Sequence, residues 1–478
     1  MTKQANPASP DPARFGSVCA AVATPPGQSG LAVIRLSGPG SPEAADLLFR
    51  PAGPRFPRVA EMSGYTCALG EILDPDDHRV LDQVILTRFT APHSFTGEDA
   101  VEISCHGGTA VKQAILDSLF RLGVQPASAG EFTRRAFLNG KLDLAQAEAV
   151  MDLIQAEARQ SSRAAAAQLK GSLSRRLREL SAFDYRLLAQ VELILEYPEH
   201  EETAAAAASL VSELDELRRA LRSLTDSFRQ GRLLREGLSV VIAGRPNAGK
   251  SSLLNALAGF DRAIVTPVPG TTRDTVEEIV DIGGLPVRLI DTAGLRETAD
   301  LIERLGVDRA RAALQQADLV LWLVSPPLTD LAQEMLEIKA AIATGLPLVL
   351  VAGKEDLAGS RQIRAWLGRE LPDLALLSFS SLTGEGLDSI RQVIQDRYNQ
   401  AGSAGSAEIL ITSSRHKACL DQALACLDQA AAVLQTGMPL DLAASLLRGC
   451  AEALAGITGD SVSDELIQTI FSRFCVGK

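Results

Sequence analysis

Two hydrophobic periodicities alternate along the chain and divide it into three textures. Between about residues 16 and 139, short apolar runs recur between Gly and Pro: Val18–Ala23, Leu31–Leu36, Gln83–Phe89 and Ala100–Cys105. Runs of this length bounded by turn residues predict β-strands. A Gly107-Gly108 turn then opens a helical pattern over Thr109–Leu122, so the region reads as a small α/β domain. From Leu142 the pattern lengthens. Asp143-Leu-Ala-Gln146 has the form of a capping box, with a carboxylate at the N-cap and Gln at N3. Long Ala/Leu/Glu/Arg segments follow to about Gln230; Pro198 predicts one helix end, and the Ala-rich stretch 203–208 reads as ordinary helix. Roughly 236–397 alternates apolar strands with helices, as a parallel α/β domain does. Glu408–Lys478 is helical again, which predicts one helical domain split by an insertion.

Composition adds bounds. A chain of 478 residues exceeds one ordinary core, so two to four domains are expected. With 46% apolar and 22% charged residues, wholesale disorder is excluded. The formal charge of −12 excludes a broad basic surface, so any nucleic-acid contact must be a local patch, a shape-selected site or one supplied by a partner. No apolar stretch approaches the ~20 residues that span a bilayer, which predicts no membrane association. The start, MTKQANPASPDPARFG, lacks an apolar signal core and reads as a disordered leader over 1–15. The seven cysteines are dispersed (19, 67, 105, 419, 426, 450 and 475) without a CxxC pair. Neither a disulfide framework nor a zinc site is therefore expected, and a reduced cytoplasmic compartment fits.

The inserted domain carries the first chemistry. Leu238–Ala243 is a buried strand followed by "GRPNAGKSS" and the helix Ser252–Ala258, which is GxxxxGK[ST] in its strand–loop–helix context. Gly244 and Gly249 let backbone amides face phosphate, Lys250 neutralises the β- and γ-phosphates, and Ser251 supplies a hydroxyl to Mg²⁺. Val287–Asp291 leads into "DTAG", where Asp291 backs the metal shell and the Gly294 amide senses γ-phosphate. Upstream, "GTTRD" (270–274) has the place of a switch loop, with a Thr that reaches Mg²⁺ only when γ-phosphate is present. Three ordered motifs predict nucleoside triphosphate hydrolysis. After DTAG, however, Leu295 stands where many GTPases place a water-orienting Gln. Arg296, Glu297, Asp300 and Glu303 are the charged candidates nearby, and spacing alone leaves each as a solvated charge.

Base choice rests on "GKED" (353–356), which ends the apolar run Leu346–Ala352. Guanine offers N1–H and N2–H donors that a carboxylate accepts together, and Asp356 is that carboxylate; the Lys354 stem can cover the base plane. The motif normally begins with Asn, which contacts the base edge and braces the phosphate loop, whereas this chain has Gly353. That loss should cost about 0.5–1.5 kcal/mol, up to roughly tenfold in affinity, while guanine discrimination survives. A second base loop spans Phe379–Gly386, with Ser380-Ser381 where Ser-Ala is usual. The candidate GTP contacts are thus Asn247, Ala248, Gly249, Lys250, Ser251, Ser252, Thr266, Thr271, Thr272, Asp291, Thr292, Ala293, Gly294, Lys354, Asp356, Ser380, Ser381 and Leu382.

The remaining blocks narrow the reading. "ATPPGQSGLAVIRLSG" (23–38), "SFTGEDAVEISCHGG" (94–108), "GEFTRRAFLNGKLDLAQAEAV" (130–150) and the terminal "FCVGK" resemble the tRNA-modification GTPases of the MnmE (TrmE) family over nearly all of 16–478. The fold class implied is α/β plus α: an N-terminal α/β tetrahydrofolate-binding and dimerisation domain (16–139), a helical domain in two parts (140–235 and 399–478), and an inserted Ras-like P-loop G domain (236–398). The resemblance implies a cytoplasmic homodimer that works with the FAD-dependent protein MnmG, in a heterotetramer or larger complex. Together they modify C5 of the wobble uridine of certain tRNAs to an aminomethyl-type group. It further implies potassium-dependent hydrolysis, with K⁺ held by Asn247, Thr266, Val268 and Thr271, and Thr272 joining Ser251 on Mg²⁺. Glu303 would orient the water that Leu295 cannot; Pro267 and Pro269 in the K⁺ loop depart from many relatives. The folate, a 5-formyl or 5,10-methylene derivative, maps onto Arg35, Glu102, Lys141 and Lys478, and Cys475 onto the modification chemistry. Without the resemblance, Arg35, Glu102 and Lys141 read as solvated charges and Cys475 as a core thiol. Two other classes compete. An Era-like ribosome-assembly switch would want a basic RNA-binding module after the G domain, where 408–478 reads as helical. The other is a folate-dependent transferase whose G domain is regulatory.

Overall fold

The computed structural model describes residues 15–53, 58–196, 203–259, 277–291, 317–327, 330–402, 409–436 and 438–477. They form two compact units, one of residues up to Met151 together with those from Thr458, the other Asp152–Ile457.

In the first unit, strands β1 (Cys19–Val22), β2 (Leu31–Ser37), β3 (Phe49–Pro51), β4 (Thr66–Leu73), β5 (Val80–Phe89), β6 (Ala100–His106) and β7 (Gln125–Pro126) form one sheet in the order β3-β4-β5-β6-β2-β1-β7. All pairings are antiparallel except β1 with β7. Period-2 alternation divides the faces. Ala32, Ile34 and Leu36 of β2 with Val101 and Ile103 of β6 enter the main core, which the helix Thr109–Arg121 covers. The opposite face carries Arg35, Glu102 and the cross-strand pair Leu69 and Ile85. Leu69 is 52% and Ile85 48% exposed, so that end of the face is uncovered in the monomer.

The capping box forms in both directions: the Gln146 amide donates to Asp143 Oδ1 (2.9 Å) and the Asp143 amide donates to Gln146 Oε1 (3.0 Å). The helix it starts, Leu144–Gln155, meets the C-terminal helix Asp464–Phe471. Leu144, Ala147 and Met151 bury Ile467, Phe471 and Phe474. The segment from Thr458 lies in the first compact unit, where its aromatic face is buried.

The second unit begins with helices. Ser172–Glu196 buries Leu173, Leu177, Leu180, Leu187 and Val191, an apolar stripe of helical spacing, and packs on Thr203–Asp226. The latter packs in turn on Ser414–Thr436, to which Arg218 donates a hydrogen bond at Asp428 (2.7 Å). The Ile411 amide donates to the Ser227 hydroxyl (3.1 Å), so the two helical segments rejoin across the insertion. The insertion is a second sheet of β8 (Leu238–Ala243), β9 (Glu277–Ile282), β10 (Leu285–Asp291), β11 (Leu319–Val324), β12 (Leu348–Gly353) and β13 (Leu376–Phe379). Its order is β13-β12-β11-β8-β10-β9, parallel throughout except for the edge strand β9. β11 and β12 are buried at every position, the mark of a sheet covered on both faces.

One buried group is poorly served by this packing. Asp184, on Ser172–Glu196, is fully buried, and neither carboxyl oxygen has a hydrogen-bond partner among the described residues. Burial pushes its pKa up to about 7, opposed in part by the neighbouring Cys450 thiol, which lies outside hydrogen-bond geometry. The folded unit therefore holds a proton that the unfolded chain, with an ordinary carboxylate near 3.8, releases. The stability this contributes is complete below about pH 4 and lost as pH rises through about 7, up to ~4 kcal/mol. Asp184→Asn should raise the urea midpoint of the second unit at pH 8 and leave it nearly unchanged at pH 3. A variant with the wild-type pH dependence would show that this carboxyl's pKa is not raised in the fold.

Candidate functional site

Parallel strands direct their carboxyl ends to a common edge, and the loops that leave there form the site. Register aligns them: Ile242 of β8 stands opposite Asp291 of β10, Ala243 opposite Trp322 of β11, and Gly353 opposite Phe379 of β13. The phosphate loop follows β8 with positive φ at Gly244 (139°), Asn247 (63°) and Gly249 (99°), a left-handed sequence that turns successive amides inward. The helix Lys250–Ala258 starts at once, two residues before the predicted Ser252, so its N-terminal amides add to the same concavity. Lys250 is 5% exposed, and its Nζ donates to the carbonyls of Gly244 (2.9 Å) and Arg245 (2.8 Å). A cation thereby sits inside the loop with its stem buried. Ser251 and Ser252 stand exposed on the first helical turn.

The base loops meet next to it. Ser380 is buried, and its hydroxyl donates to Asp356 Oδ1 (2.7 Å) while accepting from the amides of Leu382 (3.3 Å) and Thr383 (3.4 Å). The carboxylate is thus oriented by one loop while belonging to the other, and both Asp356 and Leu382 remain exposed at the surface. Lys354 takes a φ of 55° and donates to the Pro326 carbonyl (3.2 Å). The Ser360 hydroxyl holds the Gly353 carbonyl (2.9 Å).

Two contributors escaped the sequence pattern. Ser325, just beyond β11, is buried and donates its hydroxyl to the Ala248 carbonyl of the phosphate loop. Glu334, on the helix Leu331–Ile342, is 1% exposed beneath the loop; it accepts from Trp322 Nε1 (2.9 Å) and faces Arg245 Nε at 3.6 Å. Burial raises its carboxyl pKa, with the Trp322 hydrogen bond and the Arg245 charge opposing. The buried run Leu319–Val324 just before it could have pointed to Ser325 as the residue at its carboxyl end. Glu334 carried no signal, since a helical Glu is ordinarily solvated. Thr266, Val268, Thr271, Thr272, Thr292, Ala293, Gly294, Leu295, Glu303 and Lys478 lie outside the described residues, as does the Asp291 side chain.

The first unit gathers a separate cluster. Arg35 and Glu102 stand opposite each other across β2 and β6, and join through Arg35 Nη2 and Glu102 Oε1 at 2.7 Å. The guanidinium lies 5.5 Å from the centroids of both Phe95 and Phe132, within cation–π range. Lys141 Nζ donates to the Pro92 carbonyl (3.0 Å) and Asn139 to the Thr96 carbonyl (2.8 Å), so both pin the loop that carries Phe95. The chain's end arrives beside β1. The Gly130 amide donates to the Cys475 carbonyl (3.3 Å), and Val476 bridges Ala129. Gly477 has φ 97° and lies so near the Val22 carbonyl that a Cβ would stand 2.2 Å from it. Val22 pairs with Ile34, the neighbour of Arg35, so the tail docks one strand from the Arg35–Glu102 pair. Cys475 itself is exposed.

Among the described residues no helix is long and apolar enough to cross a membrane, and no group of three or more His, Cys, Asp or Glu is placed to hold a metal ion. Two family models match the chain: the MnmE helical domain over residues 144–475 and the N-terminus of GTP-binding protein TrmE over residues 18–141. The tRNA modification GTPase MnmE of Heliobacterium modesticaldum is 41% identical over 97% of this chain and 100% of its own length. That of Enterococcus faecalis is 42% identical over 96% of this chain and 98% of its own. Among solved structures, the G domain of the T. maritima FeoB iron transporter is similar at 27% identity over 34% of this chain and 98% of that chain, with a TM-score of 0.26, too low to bear on the fold. With a phosphate loop, paired base loops and full-length likeness to these enzymes, the chain belongs to the MnmE family of tRNA modification GTPases.

Proposed function

We propose that this GTPase is a potassium-dependent, cytoplasmic homodimer that acts with the flavoprotein MnmG. Together they would install a carboxymethylaminomethyl or aminomethyl-type group at C5 of the wobble uridine (position 34) of certain tRNAs, drawing on a tetrahydrofolate one-carbon unit. The observation that carries this reading is the placement of the CVGK tail one strand from the oriented Arg35–Glu102 pair. A glutamate tail of a folate suits cations, and a pterin's amide-like donors suit a carboxylate held in place by Arg35. Arg35, Glu102, Lys141 and Lys478 would hold the folate, which would supply the one-carbon unit. The uncovered Leu69–Ile85 strip on the same sheet face supports a second copy as its cover. An exposed basic run, Arg159, Arg163, Lys170, Arg175, Arg178 and Arg186, supports a local contact with tRNA phosphates on an otherwise acidic chain.

In the G domain, Lys250 and the inward amides would bind the β- and γ-phosphates, and Asp356 would accept from guanine N1–H and N2–H. Ser251, exposed on the first helical turn, would serve Mg²⁺ with Thr272, and Asn247, with its positive φ, would serve K⁺ with Thr266, Val268 and Thr271. Both cations would supply positive charge against that developing on the phosphate oxygens. Glu303 would orient the attacking water in place of a Gln.

GTP turnover in K⁺ against Na⁺, with and without MnmG, tests the reading; it should be faster in K⁺, and equal rates would overturn the cation assignment. Asp356→Asn replaces an acceptor by a donor that matches a carbonyl at C2. GTP affinity should fall about a hundredfold while xanthosine triphosphate gains; retained guanine preference would remove Asp356 from the base site. Gly477→Ala should undock the tail, seen as faster exchange of the Gly130 amide. Wobble-uridine modification should then fall with GTP turnover retained, and equal loss of both would count against a tail dedicated to modification.

A further inference from the structure

The glycine that opens the base-reading tetrapeptide has a neighbour that explains it. A Cβ built on Gly353 would stand 2.5 Å from Ser325 Oγ, 3.0 Å from Leu323 Cδ1 and 3.4 Å from the Ala248 carbonyl oxygen. No real Cβ tolerates the first of these distances, so any side chain at 353 and the Ser325 hydroxyl compete for one place. The hydroxyl now fills it. It comes from the end of β11, is 7% exposed, and donates to Ala248 in the middle of the phosphate loop. A Cβ at 353 would itself stand 3.4 Å from the Ala248 carbonyl oxygen that the hydroxyl now serves.

We propose that Ser325 is a positioning residue for GTP binding: it braces the phosphate loop from the neighbouring strand, and Gly353 is the vacancy that admits it. The next residue extends the device. The Pro326 carbonyl accepts from Lys354 Nζ (3.2 Å), so Ser325-Pro326 is tied to the phosphate loop through one bond and to the base loop through the next. One short segment thereby sets the spacing between the two halves of the nucleotide site. On this reading the brace that Gly353 cannot supply comes from the neighbouring strand. Restoring Asn at 353 in the wild-type background should therefore not strengthen binding, because it displaces a hydroxyl already in use.

The test is a double-mutant cycle on the full chain, read by affinity for fluorescent N-methylanthraniloyl GDP and by GTP turnover. S325A removes the donor to a buried carbonyl and should weaken GDP binding about five- to tenfold. The loss should fall on KM for GTP more than on kcat, a split that general destabilisation would not produce. G353N alone should also weaken binding. The double variant S325A/G353N frees the space for the amide and should recover most of the wild-type affinity, a strongly non-additive result. Unchanged affinity in S325A would overturn the proposal. So would tighter binding in G353N alone, or losses in the double variant that add up from the two single ones. Should S325A melt early, the double variant decides: recovery of nucleotide affinity upholds the brace, and its absence refutes it.

Discussion

Everything at the nucleotide site depends on the parallel pairing of β8 with β10 and β11, and of β11 with β12. Parallel strands cannot be joined by tight turns, so each returns through a crossover and ends at the same edge as its neighbours. The loops after β8, β11, β12 and β13 are thus brought together although they lie far apart in the chain. Hydrogen-bonded neighbours stand about 4.8 Å apart, which lets a serine hydroxyl on one loop reach a carbonyl on the next. Ser325 reaches the Ala248 carbonyl in this way, and Ser380 the Asp356 carboxylate.

The P-loop region is polar where it is buried, and its groups are paired. Lys250 is enclosed by carbonyls, Glu334 takes the Trp322 N–H and faces Arg245, and Ser325 serves Ala248. A charge or carbonyl left alone there would cost more than its hydrogen bond is worth, so the bonds specify a single loop geometry. The first unit uses the same logic on an antiparallel sheet. Cross-strand register sets Arg35 against Glu102, and the rings of Phe95 and Phe132 flank the guanidinium on the face opposite the main core. The tail can dock close by because Gly477 takes a positive φ against β1.

Much of this was legible in the chain. β8 matches its predicted bounds, β2 and β6 each extend one residue further, and the Asp143–Gln146 capping box forms reciprocally. β4 was not legible. Its alternation is broken at Gly70, where the Phe49 ring lies so close that a Cβ would meet it at 2.4 Å. The packing of the segment from Thr458 against the first unit was hidden for a related reason. A helical segment looks alike whichever neighbour it covers, and the contact with Leu144, Ala147 and Met151 is long-range.

Local pattern determined where the strand–loop–helix concavity forms, because a strand, a glycine-bearing loop and a helix must be contiguous to cradle an anion. It also pointed to Asp356 for guanine reading, since a carboxylate accepts both donors of that base edge. Tertiary structure alone decided what Gly353 means. From the sequence it is an absent side chain, whereas in the fold it is space filled by the hydroxyl of Ser325 from the adjacent strand. Excluded volume between strands is a property of the packed sheet, and no window along the chain contains it.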